Sequence, residues 1–195
     1  MMGGLSPRNI LICSSWQPED LPIKCEAELL GCNFFGGHPS NVSLRVIEAA
    51  KQYDLRRFLL VLGDNPWVDP SQIAELLTAA KSSNQPYMVT PTLELGNDAP
   101  EVVYPIGTRL QVIETSFMCE RYRSLGSERT EEHLSLLFKG LRFEDTVVAA
   151  DRGWLSADIS QLNVSINTMA DYLVALKVLA QVGAEADIRA VVESY

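Results

Sequence analysis

The sequence has no C-x-x-C pair, and its two histidines, His38 and His133, stand far apart. Those gaps exclude the ordinary zinc spacings. Cys13, Cys25, Cys32 and Cys119 are therefore expected to be free thiols in a reducing compartment. Basic residues are in deficit: 16 Lys and Arg stand against 25 Asp and Glu, a net charge of −9, with no Lys/Arg cluster. A nucleic-acid partner needs a basic surface to neutralise phosphates, so none is expected. No apolar run approaches the ~20 residues that span a bilayer. Residues 1–7 have neither the charged start nor the apolar stretch of a secretory leader. The expectation is a cytoplasmic protein with no membrane partner.

What remains is ordinary globular material, since 47% of residues are hydrophobic and 21% charged, which argues against disorder. Short apolar runs at 10–13, 32–35, 58–62, 87–90, 147–150 and 162–166 read as strands, the second broken by Gly36-Gly37. Leu110 to Ile113 alternates as an edge strand would. Helical spacing appears from Pro18-Glu19-Asp20 to Gly31, and at about 41–53, 70–81, 115–123, 130–139 and 168–182, with a shorter helix after Gly183. Strands alternating with helices predict an α/β fold, a mostly parallel Rossmann-like sheet with helices on both faces. Residues 91–150 break the alternation and are expected to form an insertion, a lid or dimerisation subdomain, within a single domain spanning 1–195.

In an open parallel sheet, ligands bind beyond the carboxyl ends of the strands. Three such ends are polar: Ser14-Ser15, Gly63-Asp64-Asn65-Pro66 and Asn167-Thr168. Asp64 has two readings. An apolar strand that delivers a carboxylate to the sheet rim suits a Mg²⁺ shared with phosphates. The same four residues also make an ordinary turn. Asp69 is expected to cap the helix beginning at Pro70, and Asp171 to complement the dipole of the last long helix. Trp16, Trp67 and Trp154 are expected to pack or sit at a rim, and His133 to be solvated.

Several of these segments resemble one family. Leu62 to Pro70 is similar to the Gly-Asp-x-Pro-Leu-Ile-Asp-Pro motif of CMP-sugar synthetases, most nearly the spore-coat polysaccharide cytidylyltransferases, with acylneuraminate and 3-deoxy-manno-octulosonate cytidylyltransferases as relatives. Asn9 to Ser15 with Pro18 to Ile23 resembles that group's second strand and "NPEDDPI" helix start. Phe34 to Gly37 resembles "VFRGS", Arg45 to Ala50 "RYYEAA", Tyr104 to Gly107 "YPDG", Glu128 to His133 "REH" and Ile166 to Tyr172 "VDTPEDY". The matches run in order along nearly the whole chain.

The resemblance implies a nucleotide-diphospho-sugar transferase-like fold and a nucleotidyltransferase. In that reaction a sugar or sugar-acid hydroxyl attacks the α-phosphorus of CTP, giving a CMP-sugar and pyrophosphate. It implies nucleotide binding by Ser14, Ser15, Gly63 and Asn65, substrate binding by Arg109 and Gln111, and a Mg²⁺ held by Asp64 and Asn167. The sequence also departs from the family. The family's first strand and its Gly/Arg/Lys-rich triphosphate loop have no counterpart before Ile10, so the fold is expected to lack both. Asn167 replaces an Asp, Arg109 an Asp, Gln111 a Glu and Asn41 an Asp. Strand edges left open by such a loss tend to be covered by another chain, and the family's insertion commonly mediates dimers, so a homodimer is expected. Three readings stand: an active cytidylyltransferase, a catalytically silent or incomplete relative serving as a binding or assembly module, or a transferase that keeps the sheet but uses another nucleotide.

Overall fold

The structure, a computed structural model, describes residues 5–92, 103–126, 134–138, 153–184 and 186–195. They form two sheets. In the first, β1 (Leu11–Ser15) pairs in parallel with β2 (Asn33–Gly37), Leu11 opposite Asn33 and Ser15 opposite Gly37. The second contains β3 (Arg57–Val61), β4 (Tyr87–Val89) and β5 (Leu110–Glu114) in the order β3-β5-β4. The chain divides into two compact units: Met1–Phe58 with Ile113–Gly140, and Leu59–Val112 with Leu141–Tyr195.

In the first unit, a 3₁₀ turn at Pro18–Asp20 leads into α1 (Leu21–Leu29), so the expected helix begins one turn late. It stops at Gly31, whose φ of +71° is the left-handed conformation that ends helices. The expected strand break at Gly36-Gly37 is not there, because β2 runs through both. A Cβ at residue 36 would lie 2.4 Å from the Trp16 indole, so this glycine serves close approach within the strand. Asn41 caps α2 (Val42–Gln52) by accepting a bond from the Leu44 N–H. Helix α2 buries Val46, Ile47, Ala49 and Ala50, and packs on β1, β2 and α4 (Thr115–Ser124). Arg57 and Glu114 form a half-buried ion pair at 2.6 Å.

In the second unit, Asp69 caps α3 (Pro70–Ser82), as its place before Pro70 predicts. The short α5 (Ala157–Ser160), the long α6 (Met169–Val182) and α7 (Ile188–Val192) follow. Val178, Ile188, Val191 and Val192 form a core joined by Trp67, Trp154 and Leu162, which bears out the packing role expected of those tryptophans.

Two further expectations are corrected. β5 is the middle strand of its sheet, not an edge, and residues 110–113 are all buried. Its alternation misleads because Gln111 is a buried polar residue whose amide is satisfied by the Tyr87 hydroxyl at 3.0 Å. Residues 162–166 form no regular strand, only a parallel bridge between Asn163 and Ile106. There the Asn163 side chain accepts the Ser165 N–H, and a local bond of this kind competes with a ladder. Within the expected helix 130–139, residues 134–138 form a 3₁₀ turn. The expected strand at 147–150, the Glu128 to His133 segment and most of the 91–107 excursion lie outside the described residues. Among the described residues, no helix is long and apolar enough to cross a membrane.

Candidate functional site at the loop after β3

The apolar strand β3 ends at Val61, and the chain turns at once, with the Asn65 N–H bonded to the Leu62 carbonyl at 3.2 Å. The turn exposes Gly63, buries Asn65 and half-buries Asp64. The Asp64 carbonyl accepts the Ile166 N–H at 2.8 Å, which brings the segment before α6 alongside this loop. Asp64 and Asn167, expected to share a metal site, thus come from neighbouring segments. The Asp64 Oδ1 atom is buried and accepts no hydrogen bond among the described residues. A carboxylate oxygen in that state costs free energy unless something binds it.

A polar chain leads away from Asp64. Asn167 Nδ2 donates to Ser165 Oγ at 2.7 Å, and Ser165 Oγ donates to Asn163 Oδ1 at 2.6 Å. Asn167 is exposed, with its amide nitrogen committed to Ser165. The neighbouring carboxylate, Asp171, is spent in a capping box: it accepts from the Thr168 hydroxyl and from the Asn167 and Thr168 N–H groups, while its own N–H bonds to Thr168 Oγ1. These donors, the Thr168 hydroxyl first, hold its carboxyl below the usual range. Asp64 is the carboxylate of this loop that remains uncommitted.

The remaining site residues foreseen from sequence are engaged inside the protein. Ser14 Oγ and Ser15 Oγ both donate to Asp20 Oδ2, at 2.9 and 2.6 Å, and the Ser15 N–H adds a third bond. The Ser15 hydroxyl and then the Ser14 hydroxyl lower the Asp20 pKa. Arg109 and Gln111 are interior, 7% and 2% exposed. The Tyr87 hydroxyl accepts from Arg109 Nη2 at 3.2 Å and donates to Gln111 Oε1. Cys13 lies in β1, and burial pushes its thiol up to about 11, which marks a structural rather than a reactive cysteine.

No protein-family model and no curated protein matches the sequence. A solved structure does match: a cytidylyltransferase from Leptospira borgpetersenii serovar Hardjo-bovis (strain JB197), with a TM-score of 0.75 and 16% identity, over 95% of this chain and 75% of the other. The fold is that of a cytidylyltransferase. At that identity, the likeness is one of architecture, and the chemistry rests on this chain's own residues.

Within this cytidylyltransferase fold, the donors near Asp64 suit a hard cation that shares its coordination with phosphate and water. One carboxylate with an unmet oxygen and one exposed amide side chain are the sparse protein contribution that Mg²⁺ takes. Among the described residues, no group of three or more His, Cys, Asp or Glu could form a dedicated cage. Sequence reading missed Gln72, in the first turn of α3. It is 2% exposed, and neither amide atom has a hydrogen-bond partner among the described residues. The signal was available: Gln72 shares the i, i+4, i+8 row of α3 with the buried apolar residues Leu76 and Ala80.

Proposed function

We infer that this chain binds CTP together with Mg²⁺ at the loop after β3 and transfers its CMP group to a sugar or sugar acid. The observation that carries this reading is the buried, unbonded Asp64 Oδ1, at the carboxyl end of a strand and beside the segment that bears Asn167. The architecture shared with a cytidylyltransferase supports it. In the reaction, a sugar hydroxyl oxygen bonds to the α-phosphorus, the bond from that phosphorus to the bridging oxygen breaks, pyrophosphate departs, and the hydroxyl proton passes to solvent. Asp64 would hold the metal through its carboxylate and Asn167 through its amide oxygen. Magnesium, when bound, supplies charge stabilisation to the triphosphate and the departing pyrophosphate. The neutral Asn167 gives up one unit of negative charge where the family carries a second carboxylate, so weak metal affinity is expected.

A second reading, a catalytically silent or incomplete relative that serves as a binding or assembly module, is favoured by a separate observation. The Ser14 and Ser15 hydroxyls are bonded to Asp20, and Arg109 and Gln111 are bonded to Tyr87 in the interior. Calorimetric titration with CTP, with and without Mg²⁺, tests both readings. Saturable, Mg²⁺-dependent binding that Asp64→Ala weakens by at least about tenfold supports the site. Pyrophosphate release on adding sugar acids then selects the transferase, and binding without release selects the silent relative. Failure to bind at millimolar CTP would sink the transferase reading and select the silent relative.

A further inference from the structure

The loop after β3 is held at a second point, beyond Asp64 itself. Trp67, half-buried, packs against the core that Val178, Ile188, Val191 and Val192 form between α6 and α7. Its Nε1–H donates to the Tyr195 hydroxyl at 3.2 Å, from a residue 128 positions away in sequence. Tyr195 follows α7 and is placed by short-range bonds. Its own N–H reaches the Val192 carbonyl, the Ser194 N–H reaches that of Val191, and the Ser194 hydroxyl that of Ala190. The loop is thus tied at Asp64 by the backbone bond from Ile166, just before α6, and at Trp67 by the end of α7.

The second tether matters because of the state of Asp64. A carboxylate oxygen buried without a donor is costly, and a free loop relieves that cost by swinging the side chain into water. Packing around the loop does not prevent this: a Cβ on Gly63 would meet nothing within 4 Å, and Pro66 is exposed. The Ile166 bond alone leaves the loop a pivot at Asp64. A fixed point at Trp67 removes it.

We propose that Tyr195 is a positioning residue: acting through Trp67, its hydroxyl fixes the loop after β3 so that Asp64 Oδ1 stays inside and unspent. The inference rests on the nucleotide reading only for what Asp64 then binds, since the latch itself belongs to the free protein. Releasing the loop loses one hydrogen bond but also relieves the buried carboxylate. Loop opening should therefore rise while the thermal midpoint holds.

Tyr195→Phe removes the hydroxyl, keeps the ring, and tests the proposal in the full, metal-free chain. Carbodiimide amidation of carboxyl groups, read residue by residue by mass spectrometry, should rise about threefold to tenfold at Asp64, the worth of one hydrogen bond. Asp187, the cap of α7, should label as in the wild type. Hydrogen exchange should quicken at 63–68 while 188–192 keeps its protection. Trp67→Phe, which cannot donate the bond, should likewise raise labelling at Asp64, and adding Tyr195→Phe to it should add nothing. In calorimetry with Mg²⁺, Tyr195→Phe should lower CTP affinity, by up to the factor seen in labelling.

Wild-type labelling at Asp64 in Tyr195→Phe overturns the proposal. A rise shared by Asp187 and 188–192 also overturns it, because Tyr195 would then only anchor its own helix. So does unchanged CTP affinity beside raised labelling. A wild type that binds no CTP sinks the transferase reading instead, and the labelling, run without nucleotide, still decides the latch.

Discussion

Asp20 and Asp64 both follow the ends of apolar strands, and they have opposite fates. Asp20 gathers three hydrogen bonds from Ser14 and Ser15 onto one oxygen and closes its loop on itself. Asp64 is held by its backbone, through the Ile166 N–H, while its Oδ1 is left buried without a donor. A carboxylate that collects its own donors is a structural element. One fixed in place without them keeps its capacity for a ligand. Position at a strand end therefore does not identify a binding residue. What identifies it is whether the surrounding chain has already used its lone pairs.

The largest effect is expected at Gly107, which holds the Asp64 side of the comparison together. Its φ is +93°, and a Cβ there would come within 2.4 Å of the Ser165 nitrogen. Gly107→Ala should cost on the order of 3 kcal/mol, from backbone strain and overpacking combined. Hydrogen exchange should rise at 163–167 while the Ser14–Asp20 loop keeps its protection. A uniform rise would show that the two loops are not independently built. Next comes Gln72→Leu, expected to raise stability by about 1–2 kcal/mol in thermal or urea melts, because it removes unmet polar groups from the core. A loss of stability would mean that this amide is satisfied in solution, and the contrast between spent and unspent groups would then rest on Asp64 alone.

The smallest effect is expected at Asp20. Its folded pKa lies below the unfolded value of about 3.9, so its contribution is complete above that pH and is lost as pH falls through the folded value. Asp20→Asn should therefore be less stable than wild type near neutrality. The gap should close as pH drops below about 4. A gap that does not change with pH would show that the Ser14 and Ser15 bonds do not depend on the carboxylate's charge.

Much of the fold was legible in the sequence because its signals are local. The cap at Asp69, the stop at Gly31 and the apolar run of β3 each follow from a few neighbouring residues. The misreadings came where distant groups intervene. Gln111 made a central strand look like an edge because its partner, Tyr87, lies 24 residues away. Gly36 looked like a break because the indole packed against it belongs to Trp16. For the site, residue type placed Asp64 and Asn65 beyond a strand end, where they are found, and Asn167 beyond a strand that does not form, but nothing in the sequence indicated that Ser14 and Ser15 would be consumed by Asp20.

The sequence by itself determined the alternating α/β order, the acidic balance and the loop after β3 that carries Asp64, since these depend on composition and on side-chain periodicity. Only the tertiary structure decided which polar groups at those loops stay unspent. Hydrogen-bond satisfaction and burial belong to neighbours in space, and those neighbours are fixed only once the chain has packed.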